Sequence, residues 1–332
     1  MIGQETHDVE RKILAILEIL SDSDEPLGGR IISRRLKNKG INLGERAVRY
    51  HLKIMDERGF THIVGHRDGR AITQPGLEEL GNALVCDKIG FATNKIELLA
   101  YLTTFDMDKR SGRIPIDISL FEKEEFDQAL KAMRTIFKAG LCVSDLVAVA
   151  FEREKLGELI VPKDKVGIAT VSSIVITGSL LKAGIPISSR FGGLLQIRNY
   201  DPCRFVDLIE YHGSTIDPLE IFTSSKMTNV TEVARRGEGK VLASFHEIPM
   251  LSRPATEIVL EKLKSINLCS LFVIGKTTEP ICEIPVSMNN IGLIFFSGLN
   301  PAAGAAEEGL NVTNKAMSGL IDVVELQSFW NL

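Results

Sequence analysis

Apolar residues recur at helical spacing along the first part of the chain, then give way to short β-prone runs. Val9, Ile13, Ile16, Leu17 and Leu20 share one face and predict a helix from about Asp8 to Leu20. Asp22, Asp24, Pro26 and Gly28 break it. Ile31, Ile32 and Leu36 predict a second helix over about Gly29 to Lys39, with Gly40 as its stop signal. Val48, Leu52 and Met55 form the inward seam of a third, from about Glu45 to Arg58, closed by Gly59. The runs around Ile63-Val64 and Ala71-Ile72-Thr73 then flank Asp68-Gly69, a hairpin-turn signal. Three helices followed by a hairpin predict a winged helix-turn-helix over residues 1–75.

The polar side of the third helix gives that fold a purpose. Arg46, Arg49, Tyr50 and Lys53 fall opposite the apolar seam. Such a face suits the major groove of double-stranded DNA, where arginine donates in pairs to guanine edges or phosphates. Arg67 and Arg70 flank the hairpin turn, within reach of phosphates or the minor groove. His51 falls near the seam and reads as a packing residue. Residues 28–70 hold eleven lysines and arginines against four acids, whereas the whole chain carries a net charge of −4. A basic module on an acidic body is the footprint of nucleic-acid binding confined to one domain.

Leu77, Leu80, Leu84, Ile89, Ile96, Leu99 and Leu102 continue apolar spacing and predict a helical connector over 76–105, broken near Gly90. Beyond it, over 106–332, the chain repeats itself at an offset of 125 positions. Leu146-Val147-Ala148-Val149 lies over Leu271-Phe272-Val273-Ile274, Val166-Gly167-Ile168 over Ile291-Gly292-Leu293, and Gly184 over Gly309. Two halves, about 106–214 and 215–332, each read strand, helix, strand, strand, helix, strand. That is the ferredoxin-like split β-α-β-β-α-β order. The predicted class is therefore α+β: a winged helix followed by an internally duplicated α/β sensor domain with ferredoxin-like halves. The segment 204–222 adds a strand and the crossover between them.

Matching strand-to-helix junctions mark where a ligand can bind. They are Thr170-Val171-Ser172-Ser173 and Phe296-Ser297-Gly298-Leu299-Asn300. Free N–H groups at helix starts suit a carboxylate or phosphate. Ser172, Ser173, Ser297, Gly298 and Asn300 are accordingly effector-site candidates, with Arg190 as the cation. The plain alternative is that these residues are caps and turns. No nucleophile-elbow, Walker or His-Glu-x-x-His sequence occurs, and His212 and His246 stand alone. The expectation is no catalytic residue, no metal and no cofactor. Five scattered cysteines without a Cys-x-x-Cys pair, and no long apolar run, predict a reduced, cytoplasmic protein away from membranes.

The chain resembles the NrpR-type archaeal nitrogen-regulatory repressors. The N-terminal part resembles their ribonuclease-R-type winged helix through Pro26-Leu27-Gly28, Arg46-Ala47-Val48-Arg49-Tyr50-His51-Leu52 and Gly69-Arg70-Ala71-Ile72-Thr73. The body resembles their regulatory domain through Thr104-Phe105-Asp106, Gly213-Ser214-Thr215-Ile216-Asp217-Pro218-Leu219-Glu220, Lys226-Met227-Thr228 and Ser297-Gly298-Leu299-Asn300-Pro301. The resemblance implies a repressor of nitrogen-assimilation genes that binds two-fold operators as a homodimer and is released by the effector 2-oxoglutarate. Some family members carry two regulatory domains and this chain carries one, so a second regulatory-domain protein lacking a winged helix is an implied partner. The resemblance transfers no effector-contacting residue. A different small effector, such as glutamine, and an RNA-binding accessory role are the competing readings.

Overall fold

The computed structural model describes residues 2–23, 25–38, 40–64, 69–82, 90–270 and 272–332. The chain clusters into two compact units, Met1–Lys88 and Ile89–Leu332.

The first unit is built from α1 (Ile2–Ser21), α2 (Gly29–Asn38), α3 (Glu45–Glu57), β1 (Thr61–Val64), β2 (Gly69–Ile72) and α4 (Gln74–Asn82). Ile13, Ile16, Leu17, Ile32, Leu36, Val48, Leu52 and Met55 fill its core. β1 and β2 pair antiparallel from Thr61↔Ile72 to Val64↔Gly69. The stretch before α2 joins them, because Leu27 and Arg70 exchange both backbone hydrogen bonds, at 2.9 and 3.0 Å. Two expectations change here. Ile31 is exposed, since Gly29, Ile32 and Leu36 already form the buried stripe of α2 and Ile31 lies outside it. Gly69 is the first residue of β2 rather than part of the turn; residues 65–68, Arg67 among them, lie outside the described residues.

The second unit opens with α5 (Phe91–Leu102), whose N-cap Gly90 has a left-handed φ of 77°. The first half then runs β3 (Arg113–Glu122), α6 (Phe126–Lys138), β4 (Leu146–Ala150), the short hairpin β5 (Lys155–Leu156) and β6 (Leu159–Ile160), β7 (Lys165–Val171), α7 (Ile174–Lys182) and β8 (Ser188–Arg198). After β9 (Asp201–Glu210), α8 (Pro218–Ser224) and α9 (Val230–Arg236), the second half repeats the order. It consists of β10 (Gly239–Pro249), α10 (Arg253–Ser265), β11 (Phe272–Thr277), β12 (Asn290–Phe296), α11 (Asn300–Glu307) and β13 (Val312–Asp322), with β14 (Gln327–Ser328) after it. The predicted long strand over 281–296 is only β12; a single bridge, Ile281↔Ile284, stands where β5 and β6 stand in the first half.

The pairing corrects the expectation of two self-contained ferredoxin-like halves. The two five-stranded antiparallel sheets have the orders β13-β3-β7-β4-β14 and β11-β12-β10-β8-β9. In each sheet the first, second and third strands of one half are completed by the last strand of the other. β13 lies on β3, and β8 lies on β10. Both exchanged strands carry a register irregularity. The equivalent cross-strand pairs Asn314↔Ser119 and Ser189↔His246 are each joined by a side-chain hydrogen bond, of 2.6 and 3.0 Å.

Close backbone approaches fix the junctions after β7 and β12. A Cβ on Gly298 would stand 2.3 Å from the Val171 carbonyl oxygen and 2.8 Å from Asp117 Oδ2. Gly178 is equally confined: a Cβ there would meet the Ala100 carbonyl oxygen at 2.9 Å, so glycine lets α7 lie directly on α5. Because the Gly298 clash is against backbone, Gly298→Ala is expected to destabilise the second unit by about 1–3 kcal/mol. Thermal denaturation measures this, and an unchanged midpoint would refute the contact.

Candidate functional site: a recognition helix and a polar body centre

In α3 the seam residues Val48, Leu52 and Met55 are buried, and His51 is buried with them. Arg46, Arg49 and Lys53 are exposed on the other side, and Tyr50 is 62% exposed. Arg49 pairs with Glu45 at 2.9 Å and Lys53 with Glu57 at 3.9 Å. Pairs this exposed contribute little to stability, so both cations can be given up to a polyanion at small cost. Arg70 is placed differently. Its side chain is 15% exposed, and its Nε and Nη2 donate to Asp56 Oδ2 at 3.1 and 3.0 Å. Thr61 donates to the other carboxylate oxygen at 2.6 Å. Arg70 therefore braces the hairpin against the end of α3, a role that spacing alone does not reveal.

The two junctions of the body converge on one small cavity. Ser172 and Ser173 from one half and Ser297 from the other line it, with Asp117, Tyr211, Asp217, His246 and Met317. Its space is about 20 Å³, room for one water molecule. Asn300 is fully buried, and its amide both accepts from Leu242 N–H (2.8 Å) and donates to Leu242 C=O (3.0 Å). Ser297 Oγ accepts from Leu299 N–H at 3.1 Å. Gly298 supplies the close approach to Asp117. Ser173 is the N-cap of α7 and makes no side-chain capping bond. Arg190 lies elsewhere, on β8, lining a larger cleft of about 520 Å³ together with His212.

The centre is rich in buried acids that sequence reasoning did not single out. Asp117 Oδ1 accepts from the N–H of Met317, a residue in the irregular part of β13 with φ 52°. Burial pushes the Asp117 carboxyl up to about 7, reinforced by Asp217 and opposed by the Met317 and Ser172 hydrogen bonds. Asp217 caps α8 by accepting from Leu219 and Glu220 N–H, at 2.7 and 3.3 Å. Its carboxyl is nevertheless raised by burial to about 6. Glu220, which accepts from Ala316 N–H, is likewise raised by burial to about 7. His246 bonds Ser189 through Nδ1 and Ser244 through Nε2, at 3.0 and 2.8 Å. Burial pushes it down to about 3, so it stays neutral. The sequence signal for these acids was weak: Asp117 and Glu247 are the acidic residues inside otherwise apolar strands. Among the described residues no group of three or more His, Cys, Asp or Glu side chains is placed to hold a metal ion. None of their helices is long and apolar enough to cross a membrane.

A basic helix and hairpin in one unit, beside a duplicated two-sheet body, define a winged-helix regulator. Residues 14–80 match the Ribonuclease R winged-helix domain, and residues 89–328 match the NrpR regulatory domains NRD1 and 2. The chain is 38% identical to the global nitrogen regulator NrpRI of Methanosarcina mazei, covering 95% of this chain and 96% of that protein. It is 33% identical to global nitrogen regulator NrpR of Methanococcus maripaludis, over 94% of this chain and 54% of the relative. Thus the chain spans about half of that longer protein. A solved nitrogen repressor-like protein from Methanococcus jannaschii superposes with a TM-score of 0.60 at 26% identity, over 72% of this chain and 98% of the other. The chain belongs to the NrpR family, a family of transcriptional regulators and not of enzymes.

The raised acids give the fold a pH signature. A carboxyl whose folded pKa lies above its unfolded value holds its proton longer when folded. Its contribution is full below pH 4 and is lost as pH rises through about 7. His246 acts oppositely: its contribution is full above pH 6.5 and is lost as pH falls towards 3. Above pH 6.5 the acids act alone, so the body is expected to lose stability between pH 6.5 and 8. Asp117→Asn keeps the acceptor for Met317 N–H and removes the titration. Its melting temperature is expected to rise at pH 8 and to vary less over that range; a variant as pH-sensitive as the parent contradicts the assignment.

Proposed function

We propose that the chain is a repressor of nitrogen-assimilation genes, binding two-fold operators in double-stranded DNA and released by 2-oxoglutarate. The observation that carries DNA binding is α3, which exposes Arg46, Arg49, Tyr50 and Lys53 above a buried seam. On this reading Arg46 and Arg49 reach base edges or phosphates, and Tyr50 and Lys53 touch the backbone. Arg67 contributes from the hairpin turn. Arg70 holds the hairpin in position through Asp56 and lies at the edge of the contact.

The relatives' names as global nitrogen regulators support nitrogen control as the output. The body's two halves, which we take as a duplicated ferredoxin-like unit over about 106–214 and 215–332, are the sensor. The winged helix over 1–75 is the reader, and 76–105 connects them. The protein acts in the cytoplasm as a homodimer, matching the two-fold symmetry of its operator. It has room to work with a second regulatory-domain protein that lacks a winged helix, because two relatives are nearly twice as long. Effector binding shifts the balance between arrangements of the sensor that differ in operator affinity.

Replacing Arg46 and Arg49 together by alanine is expected to lower operator affinity at least a hundredfold, while the far-ultraviolet circular dichroism and melting temperature stay those of the parent. A gel-shift titration against operator duplex measures it. Full affinity in the double variant would sink the assignment of α3, and a preference for structured RNA over duplex DNA would favour the accessory-factor reading.

A further inference from the structure

The cleft beside Arg190, rather than the junction cavity, has the properties of a ligand site. Its space of about 520 Å³ suits a small metabolite, whereas the junction cavity holds one water. Its walls come from α5, α7, the start of β8 and the end of β9. Thr177, 5% exposed, turns its hydroxyl into this space with no hydrogen-bond partner, and the buried hydroxyl of Thr93 on α5 is likewise unpartnered. A buried polar group without a partner costs stability, so two of them facing one cleft point to a ligand that satisfies both. Arg190 is half-buried, leans on the Phe191 ring at 5.9 Å and makes no salt bridge among the described residues. Ser188, Ser189 and His212 add donors.

Two acids, Glu97 and Glu210, also line the cleft. They repel a ligand carboxylate from their side and leave Arg190 and His212 as its anchor. We propose that this cleft binds a small carboxylate metabolite, with its carboxylate on Arg190 and its remaining polar atoms on Thr93 and Thr177. The identification of that metabolite as 2-oxoglutarate rests on the function proposed above; the position of the site does not.

The cleft is wired into the rest of the body. Ser189, on its wall, bonds His246 at the body centre, across the pairing of β8 with β10. Ile96 of α5 lines both the cleft and the junction cavity. α5 is also the first helix of the body after the winged-helix unit in the chain. A ligand bonded to Thr93 and Thr177 ties α5 to α7, and so bears on the element through which the chain enters the sensor.

Calorimetric titration of the full chain with 2-oxoglutarate, glutamate and glutamine tests this, using Arg190→Ala, Thr177→Val, Thr177→Ser and Ser173→Ala. Thr177→Val keeps the side-chain shape and Thr177→Ser keeps the hydroxyl, and melting curves identify any variant that fails to fold. The parent is expected to bind 2-oxoglutarate one to one. Arg190→Ala should weaken binding tenfold or more, Thr177→Val severalfold, and Thr177→Ser and Ser173→Ala little. Unchanged binding in Arg190→Ala and Thr177→Val would overturn the site while leaving the effector standing. Binding of glutamate or glutamine instead, with the same sensitivity to Arg190 and Thr177, would uphold the site and overturn 2-oxoglutarate. No binding of any of the three by the parent overturns the site.

Discussion

The body depends on the exchange of one strand between its halves. β13 completes the sheet begun by β3, and β8 completes the sheet begun by β10. Without that exchange β3 and β10 would each present an unpaired edge, which is costly to leave bare. Neither half can therefore close its sheet alone, and a displacement of one half is felt in the other half's sheet. The exchange also brings the two strand-to-helix junctions to a common centre, where side chains from both halves meet.

The electrostatics of that centre follow from its burial. Asp117 and Asp217 are removed from water without a bonded cation, and their carboxyls rise towards neutrality. His246 stays neutral between two serine hydroxyls. A dicarboxylate has neither space nor favourable charge there. The cleft outside, with Arg190 and two unsatisfied threonine hydroxyls, offers both. Ser189 belongs to both regions, and through it the pairing of the exchanged strand β8 links one to the other.

Much of this architecture is legible in the residues. Helical periodicity locates α1, α2 and α3 because each buries a continuous stripe, and the 125-residue offset lines up β7 with β12. Strand partners are another matter. Alternation says which face of β8 or β13 is buried but not which sheet it joins, so the exchange is invisible without pairing. Side-chain commitments are equally hidden. Arg70 looks like a free cation in sequence and is bound to Asp56. Asn300 looks like a ligand donor, and both ends of its amide are held by Leu242. Thr93 and Thr177 carry no signal at all, because an unsatisfied hydroxyl is a property of packing.

The account's central claim is that ligand and operator compete through one set of arrangements, so each must weaken the other by the same factor. Fluorescence anisotropy of a labelled operator, titrated with the full chain at rising 2-oxoglutarate, measures that factor directly. The dissociation constant for operator is predicted to climb with effector and level off once the sensor is saturated. An operator dissociation constant that stays flat while effector binding saturates would contradict it.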